Sequence, residues 1–448
     1  GQEPRGARAR PREAAAQNPP RAARRCREAM RRTGGQRASP LHLLALVALI
    51  PWVSADSASD RGPARQEVCQ QPGSVENTLL MQVKSTGGRV GGPGPRSEEE
   101  GDAPLVTIVS VECNTYLDWQ VATLYQSWRR SGLPGKLVRL VACPDEQRAS
   151  SSRRFSSLPG LETHFHEVAD PNYSPLNRPL GLLTWLEEGG GRSLPADAVI
   201  LMVDPDMVFY GGDTPEKLAP MLERMRSGAT QAIGSDFGYP FEGLRVNNWT
   251  LAKHFGISGA AELERLQSIG VPVIMRKEAM TRFAHPYYKI TKEITDSPAL
   301  SALVHDGREP APWIREMFGF MFAAAGLHHE TQKQWPALEA PQPPFDTSSS
   351  SPLLVHYDHA FHLCGRAFGK VFYIESDLLD CSVNASTLAL LEPPSHAEVN
   401  SRQCDLCVQS GDSFGTPPGC GLPGRAFGLF AWEQVHGAVS AWRSDHCP

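Results

Sequence analysis

Beyond its first residues the sequence has no excess of positive charge. Residues 1–37 hold eleven Arg and three acidic residues, a formal charge of +8, and because the whole chain carries −5, the remainder carries −13. A nucleic-acid-binding surface is strongly basic, so the acidic remainder predicts no nucleic-acid partner. We interpret the Arg-rich residues 1–40 as a tail or targeting region.

The apolar run at residues 41–55 is short for a membrane-spanning helix. It has 15 residues, whereas a spanning helix needs about 20. Positive charge precedes the run and Val53-Ser-Ala55 closes it, which is the pattern of a secretory signal peptide. A short signal anchor is the alternative, and it would make the protein a single-pass type II membrane protein. Both interpretations place the rest of the chain in the lumen of the endoplasmic reticulum or Golgi.

The ten cysteines lack the pairing of a zinc ribbon. Cys404-Asp-Leu-Cys407 has no second Cys-x-x-Cys pair to complete it, so we predict disulfides rather than a zinc site. Disulfides would staple the Cys-rich tail, residues 401–448, whose Gly and Pro content leaves too few apolar side chains to pack by themselves.

The chain changes character at residue 104. Residues 56–103 are rich in Gly, Ser, Pro and charge, which predicts a flexible stem. The next segments predict a strand at 105–111, an Asp118-capped helix at 118–130 and a strand at 136–143. Apolar strands that alternate with helices indicate an α/β fold with a mostly parallel sheet covered on both faces. We assign residues 104–400 to one domain.

Later segments continue this pattern. Residues 269–275 predict a strand whose Pro272 suggests an edge or a bulge, and residues 353–358 predict a final strand. Residues 313–327 are so apolar that they predict a core helix. Glu316 near the start of this helix is either a structural group stabilised by the helix dipole or a group that meets a polar ligand.

Two carboxylates follow a buried strand in the middle of the chain. Six apolar residues, 198–203, lead directly into Asp204-Pro-Asp206. Ligands of open α/β sheets lie outside the carboxyl ends of strands, and two carboxylates that flank one residue can hold a hard divalent cation against a diphosphate. A solvated Asp-Pro turn is the alternative. The position of the pair after a buried strand favours a metal-diphosphate site.

Several short sequence motifs, separated along the chain, together resemble those of a known family. They are Val111-Glu-Cys-Asn-Thr-Tyr116, Asp118-Trp-Gln120, Ser131-Gly-Leu-Pro-Gly135, Asn177-Arg-Pro179, Asp204-Pro-Asp206, Trp313-Ile-Arg-Glu-Met317 and His356-Tyr357. In these strings the chain resembles the peptidyl serine α-galactosyltransferases of plants and green algae and, more distantly, the hydroxyproline O-arabinosyltransferases. The resemblance covers about residues 105–400, and it implies a GT-A-like glycosyltransferase catalytic domain at residues 104–400.

The resemblance also implies a reaction. It is the transfer of galactose from UDP-galactose to serine hydroxyls of hydroxyproline-rich, extensin-type glycoproteins, with retention at the anomeric carbon and with manganese or another divalent cation. The alternative within the same group is a hydroxyproline O-arabinosyltransferase that uses UDP-arabinofuranose. A further alternative is a catalytically inactive luminal module that binds sugar or peptide, because a fold alone does not fix a function.

Three residues are the predicted metal ligands. Manganese prefers carboxylate oxygen and tolerates imidazole, so Asp204, Asp206 and His356 form the predicted set. Asp206 is expected to ligate directly, and Asp204 to contact the ribose of the donor or the ion through water. A His on a strand is more often a core or surface residue, and the ligand role of His356 depends on the resemblance.

Other polar residues are predicted to contact the donor or to assist the reaction. Asn177 and Arg178 could grip the donor phosphates, although a helix cap is the simpler interpretation. Lys370 could neutralise the leaving diphosphate, or it could be an ordinary solvated Lys. A retaining path needs a carboxylate nucleophile, for which Glu316 and Asp236 are available, or an attack on the same face assisted by the leaving phosphate. Asp236 could equally form an ordinary turn.

Overall fold

The computed structural model describes residues 104–259, 262, 263, 266, 269–343, 351–401, 403–408 and 424–447. The predicted Arg-rich region, signal segment and stem lie outside these residues. Within the described part, no helix combines the length and the apolar character that crossing a membrane requires.

A seven-stranded sheet lies at the centre of the described part. The strands of the whole structure are β1 Leu105–Glu112, β2 Lys136–Ala142, β3 Leu161–His166, β4 Val199–Val203, β5 Met207–Phe209, β6 Ala232–Ser235, β7 Gly270–Arg276, β8 His329–Thr331, β9 Leu354–His356, β10 Phe361–Leu363, β11 Arg366–Phe368 and β12 Leu406–Val408. The order in the large sheet is β3-β2-β1-β4-β7-β6-β8. Only β7 in this sheet runs against its neighbours. The carboxyl ends of β1, β4, β6 and β8 therefore share one edge, and the predicted α/β fold with a mostly parallel sheet is confirmed.

Helices cover the sheet. They are α1 Thr115–Ser131, α2 Asp145–Phe155, α3 Asn177–Glu187, α4 Thr214–Arg226, α5 Gly238–Val246, α6 Thr250–His254, α7 Lys277–Asp296, α8 Pro298–Ser301, α9 Arg315–Ala324, α10 Ala385–Ala389, α11 His396–Val399 and α12 Arg425–His446, with 3₁₀ turns at Ser174–Leu176, Pro312–Ile314, Pro336–Leu338 and Lys370–Tyr373. The main core includes the fully buried Trp119 of α1 and Trp432 of α12. A second apolar cluster lies among α5 to α9. The Cys-rich tail thus contributes a helix to the same core.

The start of α1 differs from the prediction. Its cap is Asn114, whose Oδ1 accepts a hydrogen bond from the backbone N–H of Leu117 at 2.8 Å. Asp118 instead lies in the first turn, where it is buried and ion-paired with Arg154 at 3.0 Å and Arg139 at 3.8 Å. Burial raises the pKa of Asp118 to about 6, although both guanidinium groups lower it. The capping prediction was wrong because an Asn four residues earlier reaches the free N–H groups first.

Strand β7 is central rather than an edge strand. It pairs with β4 on one side and β6 on the other, so the edge suggested by Pro272 was wrong. The suggested irregularity is present, because Gly234 of β6 lies opposite Val273 while Ser235 lies opposite Gly270. Two residues of β7, Pro272 among them, are therefore extra at this point. A bulge lets a proline, which has no N–H to donate, occupy an interior strand.

The predicted apolar helix at residues 313–327 is confirmed with different bounds. Pro312–Ile314 forms a 3₁₀ turn and α9 begins at Arg315. The turn leaves the Trp313 side chain 43% exposed. Glu316 is buried in the first turn of α9, as the sequence indicated.

Disulfides connect the described residues as the sequence predicted. They join Cys113 to Cys143, Cys364 to Cys404 and Cys381 to Cys447, and Cys407 is disulfide-bonded as well. Such bonds persist in oxidising compartments.

Loss of the bond between Cys113 and Cys143 should destabilise the fold. This bond closes a loop of 30 residues between the ends of β1 and β2, and a loop of that length is worth about 3.6 kcal/mol. We expect the Cys113→Ala/Cys143→Ala variant to lose about that much free energy of unfolding, measured by urea titration without reductant. Reductant should destabilise the variant further, because the other disulfides remain. A variant as stable as the wild type would contradict this prediction.

Candidate functional site

A short two-stranded ribbon brings the predicted metal ligands together. Asp204 directly follows β4, and the chain then enters β5, which pairs antiparallel with β9. In this ribbon Met207 lies opposite His356, and the N–H of Tyr357 donates to the backbone oxygen of Asp206 at 3.0 Å. The two carboxylates and a His 150 residues further along the chain therefore become neighbours.

The side chains of Asp204, Asp206 and His356 can all point a ligand atom at one ion. One atom from each lies within 4.8 Å of the others, and Asp206 and His356 are buried. The Nε2 atom of His356 lies 3.1 Å from Oδ1 of Asp206. Two carboxylate oxygens and one imidazole nitrogen form a donor set that fits Mn²⁺ or another divalent cation.

Each carboxylate oxygen of Asp206 contacts a basic side chain. Lys370 is ion-paired with Oδ2, and His356 contacts Oδ1. Burial would raise the pKa of Asp206, but Lys370 and His356 hold it far below its usual range. Burial would also lower the pKa of His356, yet Asp358 and Asp206 raise it to about 9. Asp206 is thus ionised, and a metal that bound His356 would release a proton from it.

Arg178 connects this cluster to Glu316. In the first turn of α3, its guanidinium is ion-paired with Oδ1 of Asp204 and lies 3.3 Å from Oε1 of Glu316. Tyr287 of α7 donates its hydroxyl hydrogen to Oε1 of Glu316. Burial raises the pKa of Glu316, Arg178 lowers it, Asp204 raises it, and the net direction is upward. The structure thus joins Arg178, Asp204 and Glu316 in one chain of contacts.

Asn177 lies beside Arg178 but has its own partners. Its side chain is buried, Oδ1 accepts from the N–H of Ala169 at 2.8 Å, and Nδ2 donates to Glu112 at 3.0 Å. These bonds tie the start of α3 to the end of β1. The helix-cap interpretation was wrong, because α3 begins at Asn177 and has Leu176 at its cap position without a side-chain cap. A role for Asn177 in donor binding stays a prediction.

A cavity of about 170 Å³ opens beside His356. Its lining includes Asp236 and Phe237 after β6 and Gln332 after β8. The backbone N–H of Asp236 donates to Oε1 of Gln332 at 2.8 Å. The carboxylate of Asp236 lies 2.5 Å from Nζ of Lys333. Asp236 therefore faces the same small space as a predicted metal ligand. A larger cavity, about 420 Å³, lies along α12 and shares no lining residue with this one.

Sequence reasoning missed the tyrosines and Asp358. Tyr173 accepts a hydrogen bond from the N–H of Glu316 at 2.8 Å, Tyr287 contacts its carboxylate, and Tyr239 interacts electrostatically with Glu316. Asp358 lies 4.0 Å from Nδ1 of His356. The tyrosines gave no signal, because each lies far from Glu316 in sequence and reaches it only through tertiary packing. Asp358, two residues after His356, was visible as the polar end of the last predicted strand.

Comparisons with known proteins agree on one family. Residues 106–335 match the family model described as the hydroxyproline O-arabinosyltransferase family N-terminal domain. Peptidyl serine alpha-galactosyltransferase of Arabidopsis thaliana is 26% identical over 332 residues, which cover 70% of this chain and 37% of that protein. Its counterpart in Chlamydomonas reinhardtii is 24% identical over 314 residues, 64% of this chain and 39% of that protein. The chain thus spans about two fifths of the length of these relatives.

Other relatives are aligned over more of their length. A hydroxyproline O-arabinosyltransferase of Medicago truncatula is 23% identical over 362 residues, 75% of this chain and 86% of that protein. Among solved structures, a galactosyltransferase in complex with donor and acceptor sugar analogues is 12% identical, covering 64% of this chain and 99% of that chain with a TM-score of 0.37. Mouse xyloside xylosyltransferase 1 has a TM-score of 0.32, with 11% identity over 58% of this chain and 98% of that chain. TM-scores of 0.37 and 0.32 are too low for these two structures to support a statement about the site.

Proposed function

Because the chain belongs to the hydroxyproline O-arabinosyltransferase family, we propose that it is a luminal glycosyltransferase that moves a sugar from a UDP-sugar to a hydroxyl group of a hydroxyproline-rich protein. The observation that carries this proposal is the cluster of Asp204, Asp206 and His356 at the carboxyl end of a central strand. That edge of an open α/β sheet is where ligands bind.

Galactose transfer to serine is the first candidate reaction. The relatives with 26% and 24% identity are named for it. Arabinose transfer from UDP-arabinofuranose to hydroxyproline is the second, because the family model carries that name and an arabinosyltransferase is aligned over 86% of its length. Both reactions require the same diphosphate leaving group.

The residues of the site have separate proposed roles. Asp204, Asp206 and His356 would hold manganese or another divalent cation, which supplies positive charge against the donor diphosphate. Lys370, beside Asp206, places a second positive charge where the leaving diphosphate would lie. Charge that builds up on the leaving group in the transition state is stabilised by such fixed cations more strongly than the charge of the ground state.

Arg178 and Asn177 would form the donor side of the site. Arg178 holds Asp204 and Glu316, and a guanidinium is the side-chain group best suited to bind phosphate oxygens. Asn177 fixes the first turn of α3 through Glu112 and Ala169. It would support Arg178 as a positioning residue.

Retention at the anomeric carbon is part of the proposal, and two carboxylates are candidates for the nucleophile that a retaining reaction can use. Asp236 is the better placed nucleophile, because it lines the cavity that His356 also lines. Glu316 is held by Arg178 and by Tyr287, and this suits a group that orients its neighbours. Full activity of Asp236→Asn would favour the same-face attack assisted by the leaving phosphate.

A transfer assay tests the proposed function. The full chain, made in a secretory host, is supplied with UDP-galactose or UDP-arabinofuranose and a Ser-hydroxyproline repeat peptide, with manganese or with chelator, and products are located by mass spectrometry. We expect galactose on Ser, lost with chelator. Arabinose on hydroxyproline would favour the second reaction. The absence of transfer together with the absence of UDP binding would overturn the proposal and leave an inactive binding module.

A further inference from the structure

An arginine near the end of α2 joins two carboxylates that are far apart in sequence. The two terminal nitrogens of Arg154 donate to the two carboxylate oxygens of Asp377 at 3.0 and 2.5 Å, and one of them also donates to Asp118 at 3.0 Å. The side chains of Arg154, Asp377 and Asp118 are 26%, 18% and 11% exposed. A bidentate pair of this kind fixes the geometry of both partners. We call these three residues the Arg154 bridge.

One end of the Arg154 bridge lies in the first turn of α1, close to the candidate site. Asp118 directly precedes Trp119, which is fully buried. The ring of Trp119 stacks on Tyr357 at a centroid distance of 6.4 Å and meets Tyr373 edge-on at 6.2 Å. Tyr357 directly follows His356, so this end of the bridge belongs to the packing that also holds the predicted metal ligands.

The other end of the Arg154 bridge holds the segment that carries Lys370. The chain forms the 3₁₀ turn Lys370–Tyr373, and the N–H of Ser376 then donates to the backbone oxygen of Tyr373 at 3.0 Å. Asp377 follows directly. Successive hydrogen-bonded turns leave the backbone little freedom, and a movement of Asp377 would therefore be passed on to Lys370.

Apolar packing contributes little to holding the stretch between Lys370 and Asp377. Three large apolar side chains of this stretch are 48%, 48% and 54% exposed, namely Val371, Phe372 and Ile374. Side chains that remain in water gain little from the hydrophobic effect. The buried ring of Tyr373 and the ion pair of Asp377 are the contacts that remain to fix the stretch.

We propose that Arg154 is a positioning residue, which through Asp377 holds the ammonium group of Lys370 beside Asp206. Arginine suits this role because its fork pairs with both oxygens of Asp377 while it also reaches Asp118, which a lysine could not do. The importance of this hold for sugar transfer rests on the proposed function. The hold on Lys370 itself does not depend on the reaction.

Chemical labelling of Lys370 tests this inference without any sugar transfer. The wild type, Arg154→Met, Asp377→Asn and Arg153→Met are treated briefly with N-hydroxysuccinimidyl acetate, and mass spectrometry gives the rate of acetylation of each lysine. Asp377→Asn keeps the size of the side chain and leaves the pair of Arg154 with Asp118 in place, so it tests the bridge even if Arg154→Met folds poorly.

Two controls separate a local effect from a general one. Arg153 is an exposed arginine in the same last turn of α2, so Arg153→Met removes the same charge beside the bridge. Lys217 is the internal control, because it is ion-paired with Asp213 and its side chain is 9% exposed. Its labelling becomes faster only when the protein opens more widely.

The expected result is a selective increase at Lys370. Lys370 should be acetylated several-fold faster in Arg154→Met and in Asp377→Asn than in the wild type or Arg153→Met, while the rate at Lys217 stays the same. Unchanged labelling of Lys370 in Asp377→Asn would overturn the inference. An equal increase at Lys217 in Asp377→Asn would also overturn it, since the variant would then have lost stability in general.

Transfer kinetics show whether the hold on Lys370 serves the reaction. Arg154→Met should lower kcat about tenfold or more, with a smaller change in KM for the donor, because a displaced Lys370 stabilises the transition state less. Combined with Lys370→Met, it should cause no further loss of kcat. Losses that multiply would show that the two residues act independently, and Arg154 would then not act through Lys370. If the labelling differences appear but the wild type transfers no sugar, the proposed function fails and the hold of Arg154 on Lys370 stands.

Discussion

Asp206→Ala should lower kcat/KM for sugar transfer by at least about 10³-fold, because the substitution removes a direct ligand of the proposed cation and several kcal/mol of charge stabilisation. It also leaves Lys370 and His356 without the carboxylate that both contact. The check is the initial rate of transfer together with Mn²⁺ binding followed by electron paramagnetic resonance.

A carboxylate outside the site provides the control for this prediction. Asp213 is ion-paired with Lys217 at 2.7 Å and its side chain is 58% exposed. Asp213→Ala removes the same chemical group from the same kind of pair, and it should leave the rate and Mn²⁺ binding near wild-type values. If Asp206→Ala transferred sugar at a rate close to that of Asp213→Ala, the metal assignment would be wrong.

Arg178→Met should lower the free energy of unfolding by about 3 kcal/mol, as expected when one partner of a buried ion pair is removed. The value belongs at the lower end of that range, because 23% of the Arg178 side chain is exposed. The variant leaves Asp204 and Glu316 close together without their shared cation. Urea titration measures the loss. Arg245→Met, which removes an exposed partner of Glu242, should change stability by less than about 1 kcal/mol.

The loss caused by Arg178→Met should depend on pH. The pKa of Glu316 is already raised by burial, and Arg178 is the group that lowers it, so the pKa rises further in the variant. A carboxyl group whose pKa is higher in the folded than in the unfolded state binds more protons when folded, and stability therefore falls as pH rises through the folded pKa. The variant should be closer to the wild type at pH 5 than at pH 8. Adding Glu316→Gln should restore part of the stability at pH 8, and a pH-independent loss would contradict this account.

The strands and the acidic pair could be predicted because each depends on local sequence. The apolar run before Asp204 forms β4, and the carboxylates follow at its carboxyl end. His356 was predicted only with the help of the family resemblance, since nothing in its own segment shows that β9 pairs with β5. Long-range pairing of two three-residue strands leaves almost no periodic signal.

The contacts around Glu316 were beyond sequence reasoning for a different reason. The sequence predicted that Glu316 lies in a buried helix. Tyr287, however, contacts Glu316 from α7, and Tyr173 contacts it from the segment before α3. Which face of one helix meets another depends on packing in three dimensions. The position of Pro272 shows the same limit, because the bulge that accommodates it depends on the register of two neighbouring strands.

The ribbon of β5 and β9 has a consequence for biosynthesis. During synthesis β1 to β4 can form their sheet before Leu354 has left the ribosome, because their pairings involve only residues 105–203. Asp206 meets its partners only after His356 and Lys370 have followed, and closing so long a segment is slow. A nascent chain ending at residue 335, where the match to the family model ends, would hold the carboxylates but neither His356 nor Lys370. A chain that has not yet reached Lys370 therefore cannot assemble the charge balance of the site.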